Sequence, residues 1–278
     1  MSCGYNQFVE ACFLHWLSDG RQPNGMVLRM QGFDEGVFGG HFHTANAPPV
    51  FGIPGLDVFA YSNGHDWARG LRAAVRHATN GGVSMLLDST ALLARKHLIP
   101  AARDDGWQFE YPHSLGELSA DDVVLYPYGA SPAGSLTVSS ATAAGMSSAE
   151  GGRLVVATYG NGVPKSLEAI ETSGIPCDLI DVPLLSRCPE ALPPLLRASR
   201  YSGMLLVDVC RQGAGPLAHL ASQLHDLQAL PARWRTLSAT PTYNPLGRTL
   251  TFTSPEDIGT ALAVLSEEVN GPDDESSE

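Results

Sequence analysis

Two histidines one residue apart, His41 and His43, follow a glycine-rich loop in the run Gly39-Gly40-His41-Phe42-His43-Thr44. On an extended chain alternate side chains point the same way, so the pair could share one site. Three uses of it stand open. As metal ligands the imidazoles would need further donors, which Asp34 or Glu35 would have to supply. As acid–base groups they are suited by titrating near neutrality. As a surface pair in a polar loop they would do no chemistry. A second candidate is Tyr5-Asn6-Gln7-Phe8, two aromatics at the start of a helical pattern. On the residues alone they read as core aromatics at a helix start. A third is Asp208-Val209-Cys210-Arg211-Gln212-Gly213-Ala214-Gly215. It looks like a phosphate loop, but no Lys-Ser/Thr follows and the dinucleotide spacing is absent. It reads as a structural turn, with Arg211 as a partner for a carboxylate.

The elements that must position these residues alternate between strand and helix. Phe8 to Leu17 is apolar at helical spacing, and Met26 to Met30 reads as a strand. Leu56 to Tyr61 is a short strand after the Pro54-Gly55 turn. Asp66 to Ala78 has helical spacing, with Trp67, Leu71, Ala74 and Val75 near one face, and Val83 to Leu87 is a buried strand. In the second half, Leu154 to Ala157 is a short β-branched run of the kind parallel sheets bury. The turn at Gly160 and Gly162, a helix carrying Leu167 and Ile170, and a strand from Cys177 to Val182 complete a βαβ unit. A strand at Met204 to Val209 and helices at Pro216 to Leu227 and Pro255 to Val269 follow. The predicted class is α/β, with two doubly wound sheet domains.

Bulk properties narrow the function. The 278 residues suffice for two cores. A net charge of −12 disfavours a nucleic-acid binder, which would be basic. No apolar run approaches the roughly 20 residues of a membrane span, and the N-terminus lacks a signal-peptide layout. The five cysteines include no Cys-x-x-Cys pair and read as reduced thiols of a cytoplasmic protein.

Several stretches together resemble one family. Val155-Val-Ala-Thr-Tyr-Gly160, then Ser166-Leu-Glu-Ala-Ile-Glu171 and Asp178-Leu-Ile-Asp-Val182, are similar to the C-terminal domain of the beta subunits of thiamine-diphosphate-dependent 2-oxo acid dehydrogenases. These belong to the wider transketolase superfamily. Gly39-Gly40-His41-Phe42-His43-Thr44, followed by Phe51-Gly-Ile-Pro54-Gly55-Leu56, resembles their glycine-histidine-hydroxyl run and the Pro-Gly-Leu before a strand. Tyr5 to Glu10 is similar to a transketolase stretch whose aromatics pack on the aminopyrimidine ring. The closing run Ala239-Thr-Pro-Thr-Tyr243, then Ser254-Pro255-Glu256-Asp257-Ile258, resembles the same beta subunits. Mechanically, Ser254 would cap the last helix, with Pro255 in its first turn and the acids at its positive end.

The resemblance implies thiamine diphosphate and Mg2+ as cofactors, with Tyr5 and Phe8 on the aminopyrimidine. It makes His43 or His41 the catalytic imidazole; the hydroxyl residue after His43 favours that one. It implies residues 1–104 as the C-terminal portion of a pyrimidine-binding domain, 105–152 as a linker, 153–270 as a transketolase C-terminal-like domain and 271–278 as an acidic tail. The pyrimidine-binding domain is expected to be incomplete. Neither the glutamate that hydrogen-bonds the thiamine ring nor the Gly-Asp-Gly diphosphate and metal motif has a counterpart, so no metal ligand is assigned here. A second subunit is expected to carry the diphosphate-binding domain and the catalytic glutamate, forming a heterotetramer. The reaction implied is formation and transfer of an acyl or two-carbon ketol unit, dehydrogenase-type or transketolase-type, with a lipoyl or acyl carrier protein as acceptor. The alternatives are a non-catalytic or regulatory subunit of such a complex and a metalloenzyme built on His41 and His43.

Overall fold

The computed structural model of the chain describes residues 5–31, 51–93, 95, 109–112, 116–146, 152–213, 215–241 and 252–271. Helix α1 (Tyr5–Leu17) precedes strand β1 (Met26–Gln31). Strand β2 (Leu56–Phe59), helix α2 (Gly64–Thr79), strand β3 (Val83–Asp88) and one turn of helix, α3 (Thr90–Leu93), follow. The three strands form a parallel sheet in the order β1-β3-β2. All six residues of β3 are buried, as befits a central parallel strand covered on both faces. Asn63 caps α2, its side chain accepting from the Asp66 N–H at 2.9 Å. Ala74 is buried on α2, whereas Val75, expected on the same face, is 49% exposed. One residue advances a helix by about 100°, which is enough to turn Val75 outward.

The second sheet has six strands in the order β5-β4-β7-β6-β8-β9. Strands β4 (Val123–Tyr126), β5 (Leu136–Val138), β6 (Leu154–Thr158), β7 (Cys177–Asp181), β8 (Gly203–Arg211) and β9 (Arg233–Ala239) build it. Those four last strands run parallel; β4 pairs antiparallel with β7, and β5 with β4. Helices α4 (Ser140–Ala143), α5 (Gly162–Ser173), α6 (Leu192–Ser199), α7 (Pro216–Asp226) and α8 (Pro255–Asn270) complete the fold. The α8 cap forms as its sequence requires: Ser254 Oγ accepts from Asp257 N–H, and Asp257 Oδ2 accepts from Ser254 N–H. Ile258, Leu262 and Leu265 then recur on one buried face. At the β6–α5 turn, Gly160 takes a φ of +53°, and a Cβ on Gly162 would lie 2.1 Å from Thr158 Oγ1. Both positions therefore need glycine. No helix among the described residues is long and apolar enough to cross a membrane.

Residues 105–152, expected as a linker, include strands β4 and β5 and the helical turn α4. Val123 to Tyr126 is fully buried as β4, and Val138 and Ala143 are buried beside it. The run Val123-Val-Leu-Tyr126 is itself apolar, and the small, hydroxyl-rich stretch begins only at Ser135; pairing with β7 supplies the backbone hydrogen bonds that a free linker would lack. The acidic end of the chain beyond residue 271 lies outside the described residues.

The two sheets are joined through β2. Ala60 N–H donates to Pro183 O at 2.9 Å and Leu185 N–H to Val58 O at 2.8 Å, with an antiparallel bridge between Phe59 and Leu184. One apolar cluster runs across the junction from Val58 and Met85 to Ile180, Val182 and Leu185. β1, by contrast, has no strand on its outer side among the described residues.

A carboxyl group is sealed inside the junction. Asp181 ends β7 with no exposed surface, its Oδ2 lying 2.5 Å from Ser62 Oγ. Its Oδ1 has no hydrogen-bond partner among the described residues. Burial holds this acid well above the ordinary carboxylate range; the Ser62 contact opposes that shift and the nearby Asp66 adds to it. The folded state thus retains a proton that the unfolded chain loses near pH 4. Its contribution to stability is fully present below about pH 4 and declines as pH rises toward the folded-state value. Asp181→Asn keeps the shape and removes the titration. Thermal unfolding from about pH 4 to pH 8 should show the variant gaining on the parent as pH rises. A constant difference would mean that Asp181 is ionised in the fold.

Candidate functional site

Ligands of open α/β sheets bind beyond the carboxyl ends of the strands, at points where connections leave in opposite directions. In the six-stranded sheet this point lies between β6 and β8, the neighbours of the glycine turns. The chain's own side chains fill it. Tyr159, fully buried, donates to Asp208 Oδ1 at 2.6 Å. Cys210 N–H donates to the same oxygen at 2.9 Å, and Leu217 N–H to Asp208 Oδ2 at 3.1 Å. The start of α7, where an external phosphate would sit, already holds a carboxylate. Gly215 is required for this: a Cβ there would lie 2.0 Å from Asp208 Oδ2. The Asp208–Gly215 segment is thus a structural turn, as its sequence suggested. Burial raises the pKa of Asp208, Tyr159 and Cys210 alike; for Asp208 the hydrogen bonds it accepts from Tyr159 and from the Cys210 and Leu217 N–H groups oppose that shift.

The three-stranded sheet is different, because its carboxyl end is open. A cavity of about 260 Å³ lies there, bounded by Arg29 of β1, the Tyr61–Gly64 segment after β2, Trp67 of α2, and Asp88 and Ser89 at the end of β3. Asp88 organises it. One carboxylate oxygen pairs with Arg29 Nε and the other accepts from Trp67 Nε1 at 3.0 Å. The Arg29 guanidinium stacks 5.0 Å from the Trp67 ring centre, a cation–π contact that fixes its plane. Arg29 keeps 55% of its side chain exposed while Asp88 keeps 7%. The positive group therefore faces the opening and the negative one stays behind it. The amino end of α2 also points here, and its dipole favours negative charge. Ser89 is buried, and its hydroxyl has no hydrogen-bond partner among the described residues. The arrangement suits a ligand with an anionic or carbonyl oxygen.

The residues singled out from sequence fall unevenly around this cavity. His41 and His43 lie in the segment between β1 and residue 51, outside the described residues. Tyr5 and Phe8 stand three residues apart on α1, half-buried and packed against the core. Neither is among the residues lining the cavity. Arg29, Asp88 and Ser89 are not singled out by the sequence, and Trp67 is read there only as part of a helix face. The signals were a lone charge inside the apolar run Met26-Val-Leu-Arg-Met30 and a polar pair, Asp88-Ser89, after the apolar run Met85-Leu-Leu87. Among the described residues, no group of three His, Cys, Asp or Glu is placed to hold a metal ion.

No family model matches the sequence, and no curated protein does. The structure is similar to a split-gene transketolase solved as an inactive β4 tetramer, with a TM-score of 0.54. The match covers 92% of this chain and 73% of that one, at 14% sequence identity. The chain therefore has a transketolase-like α/β fold.

Asp88→Ala should remove both anchors of Arg29 and Trp67 at once and lower stability by about 1–3 kcal/mol in urea unfolding. Arg29→Ala should cost less, because Arg29 is half exposed and its loss leaves Asp88 bonded to Trp67. Equal losses would place the strength of the network in the ion pair rather than in Asp88.

Proposed function

We propose that this chain is one subunit of a split thiamine-diphosphate-dependent enzyme, dehydrogenase beta-like or transketolase-like, that forms and transfers an acyl or two-carbon ketol unit. The observation that carries the reading is the transketolase-like fold, shared with a split-gene transketolase. The cavity at the carboxyl end of β1–β3, with Arg29 and the amino end of α2 facing it, supports it. So does the resemblance of the Gly39-Gly40-His41-Phe42-His43-Thr44 run to the family's glycine-histidine-hydroxyl run.

Thiamine diphosphate supplies a carbon nucleophile for carbonyl chemistry. On this chain Tyr5 and Phe8, on one side of α1 and half-buried, fit the role of aromatic faces for its aminopyrimidine ring. The sequence has no counterpart of the Gly-Asp-Gly diphosphate and metal motif, so the diphosphate and its metal are assigned to the partner subunit. That partner also supplies the catalytic glutamate. The outer side of β1, without a strand among the described residues, is where its share of the pyrimidine-binding domain would join. Residues 1–104 then act as the pyrimidine half-domain and 153–270 as the C-terminal-like domain, in a heterotetramer. His43, or His41 beside it, handles the proton at the substrate carbonyl, and a lipoyl or acyl carrier protein takes the product.

Two outcomes are expected. Co-expression with the partner subunit should yield a complex that retains thiamine diphosphate and turns over 2-oxo acids or ketol donors, while the chain alone is inactive; full activity without a partner defeats the split-enzyme reading. In the assembled complex His43→Ala should lower turnover by about 10²–10⁴-fold with little change in cofactor affinity. A variant as active as the parent removes His43 from the site.

A further inference from the structure

The opposite ends of β2 and β3 border a second cavity, of about 370 Å³. Asp57 and Ser84 form its floor; they are register partners on β2 and β3. The carboxyl-terminal half of α2 forms one wall, with Asp121 and Arg187 from the other sheet's loops opposite. Ser84 is 1% exposed, and its hydroxyl has no hydrogen-bond partner among the described residues. Buried hydroxyls are nearly always paired, so one left unpaired at a cavity wall points to an atom of a ligand.

The charges around this space decide which ligand. Arg187 forks onto Asp121, and Arg76 pairs with Glu117. Asp57 is left with cations at a distance: Arg187 Nε at 3.6 Å and His77 Nε2 at 4.0 Å, both too long for a hydrogen bond. Asp57, Asp121 and Glu117, the partner of Arg76, thus stand against two guanidiniums and the His77 imidazole, and Asp57 has the longest of these pairings; burial raises its pKa, and Arg187 and His77 oppose that shift. The carboxyl end of α2 adds the negative pole of a 16-residue helix. Ala73, Ala74 and Phe59 supply apolar wall beside it. An anion would be repelled by Asp57, whereas an ammonium group supplies the hydrogen bonds that Arg187 and His77 are too distant to give.

We propose that this cavity binds a small organic ammonium ion, its amine on Asp57 and Ser84 and its aliphatic body against Ala73 and Ala74. The ligand would tie β2 and α2 to the loops carrying Asp121 and Arg187, and so stabilise the junction between the two sheets. The site stands apart from the thiamine reading and does not depend on it.

Butylammonium, butyrate and butanol are close in size and differ in charge, and they serve as probes. Each is titrated calorimetrically into the full chain at equal ionic strength, and thermal unfolding is followed alongside. Saturable binding and a raised Tm are expected with butylammonium alone. Asp57→Asn should weaken binding by about tenfold or more, with Ser84→Ala weakened less. Ala73→Leu fills the space without touching a charge and should also abolish binding, which keeps the test valid if Asp57→Asn fails to fold. No saturable binding of butylammonium, equal binding of butyrate, or undiminished binding in Ala73→Leu would each overturn the proposal.

Discussion

The seam between β2 and the segment that follows β7 is the constraint on which the rest of this structure depends. Two backbone hydrogen bonds, Ala60 to Pro183 and Leu185 to Val58, fix its register. Each contributes about 0.5–1.5 kcal/mol net. Val182, Leu184 and Leu185 are buried at the same place, and fully burying such side chains contributes about 1.5–3 kcal/mol each. Packing therefore holds the seam closed, and the hydrogen bonds decide where it closes. Because β2 is an edge strand of its sheet, this pairing also covers backbone groups that would otherwise invite foreign strands. Arg187, set between Asp57 and Asp121, adds a charged tie across the same line.

The seam has a direct bearing on the site. Ser62 touches Asp181 across it and lines the cavity at the carboxyl end of the first sheet. Asn63, its neighbour, caps α2 and also bonds Asp66, which in turn holds Arg69. The amino end of α2 is thus positioned by residues anchored in the other sheet. A change in how the sheets dock would move the helix dipole and the cavity wall together. The positive face that the cavity presents is a property of the assembled pair of sheets and not of either alone.

The two crevices of the fold have opposite fates for a simple electrostatic reason. At the β6–β8 switch point the helix start is neutralised from inside by Asp208, and Tyr159 fills the space. At the first sheet the acid of the strand end, Asp88, turns instead toward Arg29 and Trp67. Its charge is spent on holding a guanidinium, while the helix start beside it is capped by Asn63 and carries the buried Asp66 in its first turn. A carboxylate at a strand end closes one crevice and equips the other; the difference lies in which partner it meets.

The sequence alone determined the alternation of strands and helices and most of their limits. Buried parallel strands are short apolar runs, and capping residues such as Ser254 and Asp257 act on their own helix. Both signals are local, so they survive without the fold. The same holds for Gly213 in the turn after Asp208, whose φ of +78° is a property of its own backbone. What only the tertiary structure decided is everything set by distant partners. The β4 strand depends on β7, some fifty residues away in sequence, for its pairing. Arg29 and Asp88 look like an odd charge and a strand end until β1 and β3 are laid side by side with register Met30 to Leu87. Asp57 and Asp181 are ordinary acids in the sequence; burial and opposing elements give them their unusual states. Local propensity writes the elements, but the dielectric and the neighbours of a side chain are fixed only when the sheets meet.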